Sequence, residues 1–389
     1  MRTRSIISMI SILVISACVD RINFDVEVKS NFPIVIDGFI SDQPGPYTIK
    51  VSKAFDIDSK ASMKTPASVK ELSILDDLGN SEMLSEVSEG TYQSNANGMK
   101  GVVGRAYRLR VELLTGQVYE SKPDTIHKPG KVDSVYYKFE EEEVGELGNT
   151  KYAFDIYFDA SKELSNNIYF QWTFISTFKV ITNAELDYSA PCGDADCKGC
   201  SICNFAVKCS GIRNIAKIPR RPDAIFIRFK PCECCTCWYN IFNEKPILSG
   251  NLFSTAGKFK EVKAGSVPVH EWIFQHKIYA EVAQRSLSHQ AYTFFKAIND
   301  QKEAVNSLFQ PISGKIASNF TQISGSENPI EGLFYATSVS SKAIIITKKD
   351  VPVGQTYIFP IRGSDYVIPL ACTKLFPNST TIKPSFWED

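Results

Sequence analysis

The sequence predicts a mainly β protein with an N-terminal β-sandwich, a β-rich C-terminal domain, one amphipathic helix and a cysteine-rich insert. Three observations predict it. Short apolar-alternating segments recur at roughly ten-residue spacing with turn residues between them, the pattern of antiparallel strands. One stretch late in the chain carries helical periodicity. Nine of the 11 cysteines fall between Cys192 and Cys237, in a segment with little periodicity of either kind.

The first 17 residues read as an export signal. Arg2 and Arg4 precede an apolar run from Ile6 to Ile15, followed by Ser16-Ala17-Cys18. A basic start, a short apolar core and small residues before a cut site make a secretory signal peptide. The run is too short to span a bilayer as a helix. Small residues directly before a cysteine match a bacterial lipoprotein signal, in which Cys18 is acylated on its sulfur and amine and becomes the N-terminus. Two or three acyl chains hold a protein stably where one does so only marginally. Residues 18–31 then form a short charged tether, and the lipid is the expected membrane contact.

Residues 32–127 read as the sandwich. Ile34 to Ile40 is an apolar strand, and Pro44-Gly45-Pro46 a turn. Tyr47 to Ser52 alternates, Ser68 to Leu75 is a strand, and Asp76 to Asn80 turns it. Gly90-Thr91-Tyr92-Gln93 begins another. Ala106 to Leu113 alternates cleanly and turns at Thr115-Gly116-Gln117 into Val118 to Ser121. This spacing suits an antiparallel sandwich of immunoglobulin-like type. Lys128-Pro129-Gly130 reads as a linker.

The C-terminal domain, 128–389, opens with strands at Val132–Phe139, Tyr152–Asp159 and Ile168–Ile181. The acidic run Glu140 to Glu146 reads as a solvated loop tip, since its oxygens lack the glycine-punctuated spacing of a calcium loop. The insert occupies 184–240. Ile273 to Val282 reads as a strand, and Leu333–Ala336 and Ser341–Thr347 as two late strands. The helix is placed over Ser286–Asn299: Leu287, Ala291, Phe294, Phe295 and Ile298 share one face, with Ser288 as N-cap.

Acidic and basic residues balance at 43 each, so no overall field draws nucleic acid or an anionic membrane. Setting Cys18 aside leaves Cys192, Cys197, Cys200, Cys203, Cys209, Cys232, Cys234, Cys235, Cys237 and Cys372. An even number in an oxidising compartment reads first as disulfides, whose connectivity the spacing does not give. The alternative is zinc, or copper, held by Cys197, Cys200, Cys234 and Cys237, because two-residue spacings are chelating geometry. An iron–sulfur cluster would want a fourth regularly spaced cysteine, and a thioredoxin-type relay a βαβ context; both are lacking.

No catalytic constellation stands out. His127, His270, His276 and His289 are scattered and read as structural, with no His-Glu-x-x-His pair. No nucleophile elbow, phosphate-cradling loop or dinucleotide fingerprint occurs. Tyr136-Tyr137, Trp172 and Trp238-Tyr239 read as core aromatics at strand spacing.

Several segments together resemble the Bacteroidota outer-membrane lipoproteins grouped as domain of unknown function 4249. They are Ile34 to Asp42, Pro46 to Ser52, Gly90-Thr91-Tyr92, Gly101 to Leu109, Val132 to Tyr137 and Cys237-Trp238-Tyr239. The most specific are Ser286-Leu287-Ser288 with Ala291-Tyr292, Leu308 to Pro311, Gly314-Lys315-Ile316 and Gly332 to Ala336. The chain departs from the family where Lys315 to Asn319 replaces a Gly-Asn, and in its larger number of cysteines. The resemblance implies a tethered lipoprotein associated with a SusC-like TonB-dependent transporter, with no catalytic residues to carry over. Asp124-Thr125-Ile126 and Asp133-Ser134-Val135 resemble the O-glycosylation sequon of that phylum.

The expected function is therefore a non-enzymatic accessory binding or assembly subunit of a TonB-dependent uptake system at the outer membrane. The insert would supply a basic contact loop through Lys198, Lys208, Arg213, Lys217, Arg220 and Arg221. The alternatives are a metal-binding lipoprotein and, third, an outer-membrane hydrolase.

Overall fold

A computed structural model describes residues 33–53, 65–67, 69–144, 149–162, 169–184, 188–189, 205–206, 208–214, 226–243, 245–251, 256–270, 272–305, 316–325, 330–352, 368 and 370–388. The principal strands are β1 (Ile34–Ser41), β2 (Thr48–Lys53), β3 (Val69–Asp76), β4 (Ala106–Leu113), β5 (Val118–Ser121), β6 (Lys131–Val144), β7 (Asn149–Ser161), β8 (Phe170–Ile181), β9 (Thr236–Phe242), β10 (Lys258–Pro268), β11 (Ile278–Ser286), β12 (Phe320–Ser324) and β13 (Ile330–Ile346). The main helix is α1 (His289–Val305), and α2 (Cys372–Leu375) is a single turn. The chain is mainly β, as its alternation predicts.

The main sheet runs β9–β8–β11–β13–β1–β2 and ends in the short strands Thr91–Gln93 and Ser85–Ser88. A second sheet runs β12–β5–β4–β3 and ends at Ser81–Met83. A third is β6–β7–β10.

β1 is buried on one face and covered only in part on the other, where Asp37 is exposed between Val35 and Phe39. Ile34, Ile36 and Ile40 face the second sheet, in a core with Ile49, Leu72, Ile74, Leu109 and Tyr119. Phe39 points the other way and packs against the cluster of Leu287, Ala291 and Tyr335 beneath α1. β1 has an antiparallel neighbour in β2 and a parallel one in β13, with pairs from Ile34↔Ile330 to Ser41↔Thr337. A parallel neighbour has to arrive by a crossover, and here the crossover is most of the chain. Gly332 is required in this ladder. It sits at φ +105°, and a Cβ there would collide with the carbonyl oxygen of Ile36.

The second sheet is also completed from the C-terminal part. β12 pairs β5 at Phe320↔Ser121, and Phe320, Phe334 and Ala336 enter the same core. Asn319 locks β12 to β13: its amide donates to the Phe334 carbonyl at 2.6 Å and its Oδ1 accepts the Phe334 N–H at 3.2 Å. The Asp124 carboxylate accepts the Ala336 N–H at 3.0 Å. Lys128-Pro129-Gly130 therefore separates two stretches of chain without separating the sheets they build.

The third sheet packs on the β8–β11 half of the main sheet. Phe154, Ile156 and Phe158 from β7 meet Trp172, Phe174 and Phe178 from β8, all fully buried or nearly so. The Trp172 indole N–H donates to Gln284 at 3.0 Å, and the Gln284 amide donates to the Ser161 carbonyl at 3.3 Å, so these two buried side chains link β8, β11 and β7.

Several sequence expectations are corrected. The acidic run is not a loop tip as far as Val144. β6 continues through it, with Glu140↔Ala153, Glu141↔Tyr152 and Val144↔Asn149 in register; residues 145–148 lie outside the described ones. The two late strands are one strand of 17 residues, β13. Ile273–Gln275 is a 3-10 turn whose Ile273 and Phe274 are buried, and the strand starts only at Ile278. The insert's expected end at 240 cuts β9, a core strand paired with β8 from Ile175↔Phe242 to Ile181↔Thr236. The helix runs later than expected, to Val305, but Ser288 is its N-cap: its Oγ accepts the Ala291 N–H at 3.1 Å.

Candidate functional site

The end of the main sheet where β8 finishes and β9 and β11 begin gathers most of the unusual chemistry of the described residues. Cys209 pairs with Cys234, Cys232 with Cys235 and Cys237 with Cys372, at disulfide distance with Cα separations of 5.5, 5.5 and 5.9 Å. Cys237 sits in β9 opposite Val180, and Cys372 opens α2; both are completely buried.

Backbone bonds fix the loop before β9 to this end. The Thr182 N–H donates to the Cys235 carbonyl at 2.8 Å, the Cys372 N–H to Cys234 at 2.9 Å, and the Glu233 N–H to Cys209 at 2.8 Å. Cys237–Cys372 belongs to the large core beneath the main sheet, and the other two pairs reinforce a small cluster in which Ala184, Cys234 and Ala371 are buried together among the described residues.

Of the ten expected disulfide cysteines, six meet in these pairs. Cys192, Cys197, Cys200 and Cys203 lie outside the described residues, as does Cys18. The proposed zinc set of Cys197, Cys200, Cys234 and Cys237 has two members, Cys234 and Cys237, bonded to other cysteines, and a disulfide sulfur is no thiolate ligand. Among the described residues no group of three or more His, Cys, Asp or Glu side chains converges to hold a metal.

The C-terminal segment lies across the outer face of this sheet end. Trp238 and Thr380 exchange backbone hydrogen bonds of 2.8 and 2.9 Å, which cap the exposed edge of β9. The ring of Trp387 meets that of Trp238 edge-on at 6.5 Å, and Phe386 stacks on Tyr279 at 4.2 Å. Lys179, His276, Lys277, Trp387 and Glu388 line a half-open cleft of about 330 Å³, with the Lys277 ammonium 5.5 Å from the Trp387 ring centre. Burial, reinforced by Glu281, which accepts the Tyr279 hydroxyl hydrogen at 2.9 Å, pushes the Tyr279 phenol up to about 12.

Of the four histidines, His276 alone lines the cleft, in a turn rather than the expected strand. His127 is half-buried, His270 is exposed and His289 opens α1 beside Tyr169 at 5.2 Å. Trp172 and Trp238 are buried as predicted, while Tyr136 stacks on Tyr157 at 6.0 Å on the outer face of the third sheet. The basic side chains expected in the insert, from Lys198 to Arg221, are not among the described ones. In the two sequon-like triplets, Thr125 and Ser134 are half-buried, and burial raises the Asp124 carboxyl. The cleft was invisible in the sequence because its walls come from positions near 179, 277 and 387. No local motif links them.

A family model described as Domain of unknown function (DUF4249) matches residues 19–343. No curated protein matches the chain. A solved structure, trypsin-activated alpha-2-macroglobulin from Escherichia coli, is similar over 67% of this chain and 15% of that one, at 11% identity and a TM-score of 0.17. The chain thus spans about 15% of that protein's length, and the likeness supports no argument about fold or function.

Proposed function

This chain belongs to the DUF4249 family, and from that premise we propose that it is an outer-membrane lipoprotein, anchored through acylated Cys18, that serves as a non-enzymatic accessory binding or assembly subunit of a SusC-like TonB-dependent uptake system. The observation that carries the exported part of this reading is the pairing of six cysteines at disulfide distance. Such pairs persist in oxidising compartments outside the cytoplasm. The shape of the main sheet supports the accessory part. A sheet that runs unbroken from β2 to β9 is a stiff support for a contact surface at its disulfide-bonded end.

Replacing the acylated residue tests the anchor. Cys18→Ala is expected to move the protein from the membrane fraction to the soluble fraction of lysed cells, because it removes the residue that would carry the acyl chains. Retention of the variant in washed outer membranes at the level of the natural chain would remove lipid anchoring from the account.

A further inference from the structure

We propose that Cys232–Cys235 is a thiol–disulfide exchange site, a bond that a dithiol reductant outside the cytoplasm opens while the chain around it stays folded. Exchange begins when a thiolate attacks one sulfur of a disulfide and displaces the other as a thiolate. The attacked sulfur has to be reachable, and the displaced one has to carry a charge where it stands. The three pairs differ in both respects.

Cys237 and Cys372 are fully buried inside the large core beneath the main sheet, so neither sulfur is open to attack. Cys209 is half-buried, but its partner Cys234 is only 4% exposed and lies with Ala184 and Ala371. Attack on Cys209 would leave a thiolate at Cys234 in apolar surroundings, which disfavour the charge, and Cys234 itself is closed to attack. Cys232 and Cys235 are both half-buried. Either can be attacked, and either can leave toward water.

The surroundings of this pair hold without it. The Glu233 N–H donates to the Cys209 carbonyl at 2.8 Å, the Cys372 N–H to the Cys234 carbonyl at 2.9 Å and the Thr182 N–H to the Cys235 carbonyl at 2.8 Å. Cys234 is also joined to Cys209, and β9 begins at Thr236, directly after Cys235. Residues 233 to 235 are thus each tied to a neighbour by a bond that reduction of this pair leaves intact. Cys232 and Cys235 are 3 residues apart, so their opening releases a very short loop. Opening Cys237–Cys372 would instead undo the link between β9 and α2 across 135 residues.

The step is a balanced two-electron transfer. One thiolate of the dithiol attacks the Sγ of Cys232 or Cys235. The S–S bond breaks, and its electron pair leaves on the other sulfur, which takes up a proton. The second thiolate of the reductant then attacks the mixed disulfide and displaces the remaining cysteine, which is protonated in turn. The reductant ends as a disulfide and the chain as two thiols. That the reductant meets the chain outside the cytoplasm rests on the exported reading above; the order of opening does not.

The test treats the full mature chain, purified oxidised, with dithiothreitol over time. Opened thiols are blocked with a light alkylating reagent, the remaining disulfides are reduced and labelled with its heavy form, and each cysteine is read by mass spectrometry. Cys232 and Cys235 should open together, at least about tenfold faster than Cys209, Cys234, Cys237 and Cys372. The chain opened only there should keep its cooperative thermal transition in circular dichroism, as should Cys232→Ser/Cys235→Ser. Equal or faster opening of another pair would overturn the proposal, as would loss of that transition when this pair alone is open. Intact cells blocked before lysis report on the reductant separately. A fraction of Cys232 and Cys235 should be reduced there, and a pair found fully oxidised in cells would remove the reductant while leaving the order of opening measured.

Discussion

A chain ending at residue 127 is expected not to fold. The strands before that point look self-sufficient, yet each of their two sheets takes a strand from beyond residue 319. Without β13, β1 loses its parallel ladder from Ile34 to Ser41 and becomes a long apolar edge. The core also loses Phe320, Phe334 and Ala336. Removing one buried Phe side chain costs about 3–5 kcal/mol, and whole domains are stable by only about 5–15 kcal/mol. Circular dichroism on heating should show no cooperative transition for residues 33–127, whereas the full mature chain should show one. A cooperative transition in the fragment, with native-like near-ultraviolet dichroism, would mean that the late strands merely decorate a finished sandwich.

The second large effect concerns the cysteine pairs, and it is an ordering. Cys237 and Cys372 are 135 residues apart, Cys209 and Cys234 are 25 apart, and Cys232 and Cys235 are 3 apart. Closing a loop removes entropy from the unfolded chain roughly as the logarithm of its length, which gives about 5, 3.5 and 2 kcal/mol in that order. The double variant Cys237→Ala/Cys372→Ala should therefore be the least stable of the three in denaturant titrations without reductant. It also leaves two fully buried sulfurs unreplaced. Equal losses for the three double variants, or the largest loss for Cys232→Ala/Cys235→Ala, would contradict the pairing.

Much of the fold was legible because half-buried strands write their alternation into the sequence. β4 alternates half-buried and buried positions from end to end and was placed to the residue. The alternation is lost where a strand carries polar residues. Two strands, Leu333–Ala336 and Ser341–Thr347, are expected where one runs; between them the Thr337 hydroxyl donates to the Ser286 carbonyl at 2.8 Å and the Ser338 hydroxyl to the His127 carbonyl at 2.7 Å. Buried hydroxyls with partners let a strand pass through the interior. The acidic run failed similarly: charge suggested a loop, but in a long hairpin the solvent face of a strand is charged too. Ile273 and Phe274 show the opposite error, since an apolar pair reports burial and not conformation.

The site was legible in part. Clustering predicted disulfides, and Trp238-Tyr239 read as core aromatics although they fell inside the expected insert, but pairing depends on which strand ends meet in space. Cys372 lies 135 residues from its partner and gave no signal beyond making the number even. The cleft lined by Lys179, Lys277 and Trp387 gave none, because these positions meet only once the sheet is built.

The central claim is that this protein works beside a transporter at the outer membrane, and purification from that membrane tests it most directly. Outer membranes solubilised in mild detergent, with the full chain recovered by affinity and its companions identified by mass spectrometry, should yield a SusC-like TonB-dependent transporter in comparable amount. Recovery of the intact, lipid-bearing chain with no transporter would contradict the account.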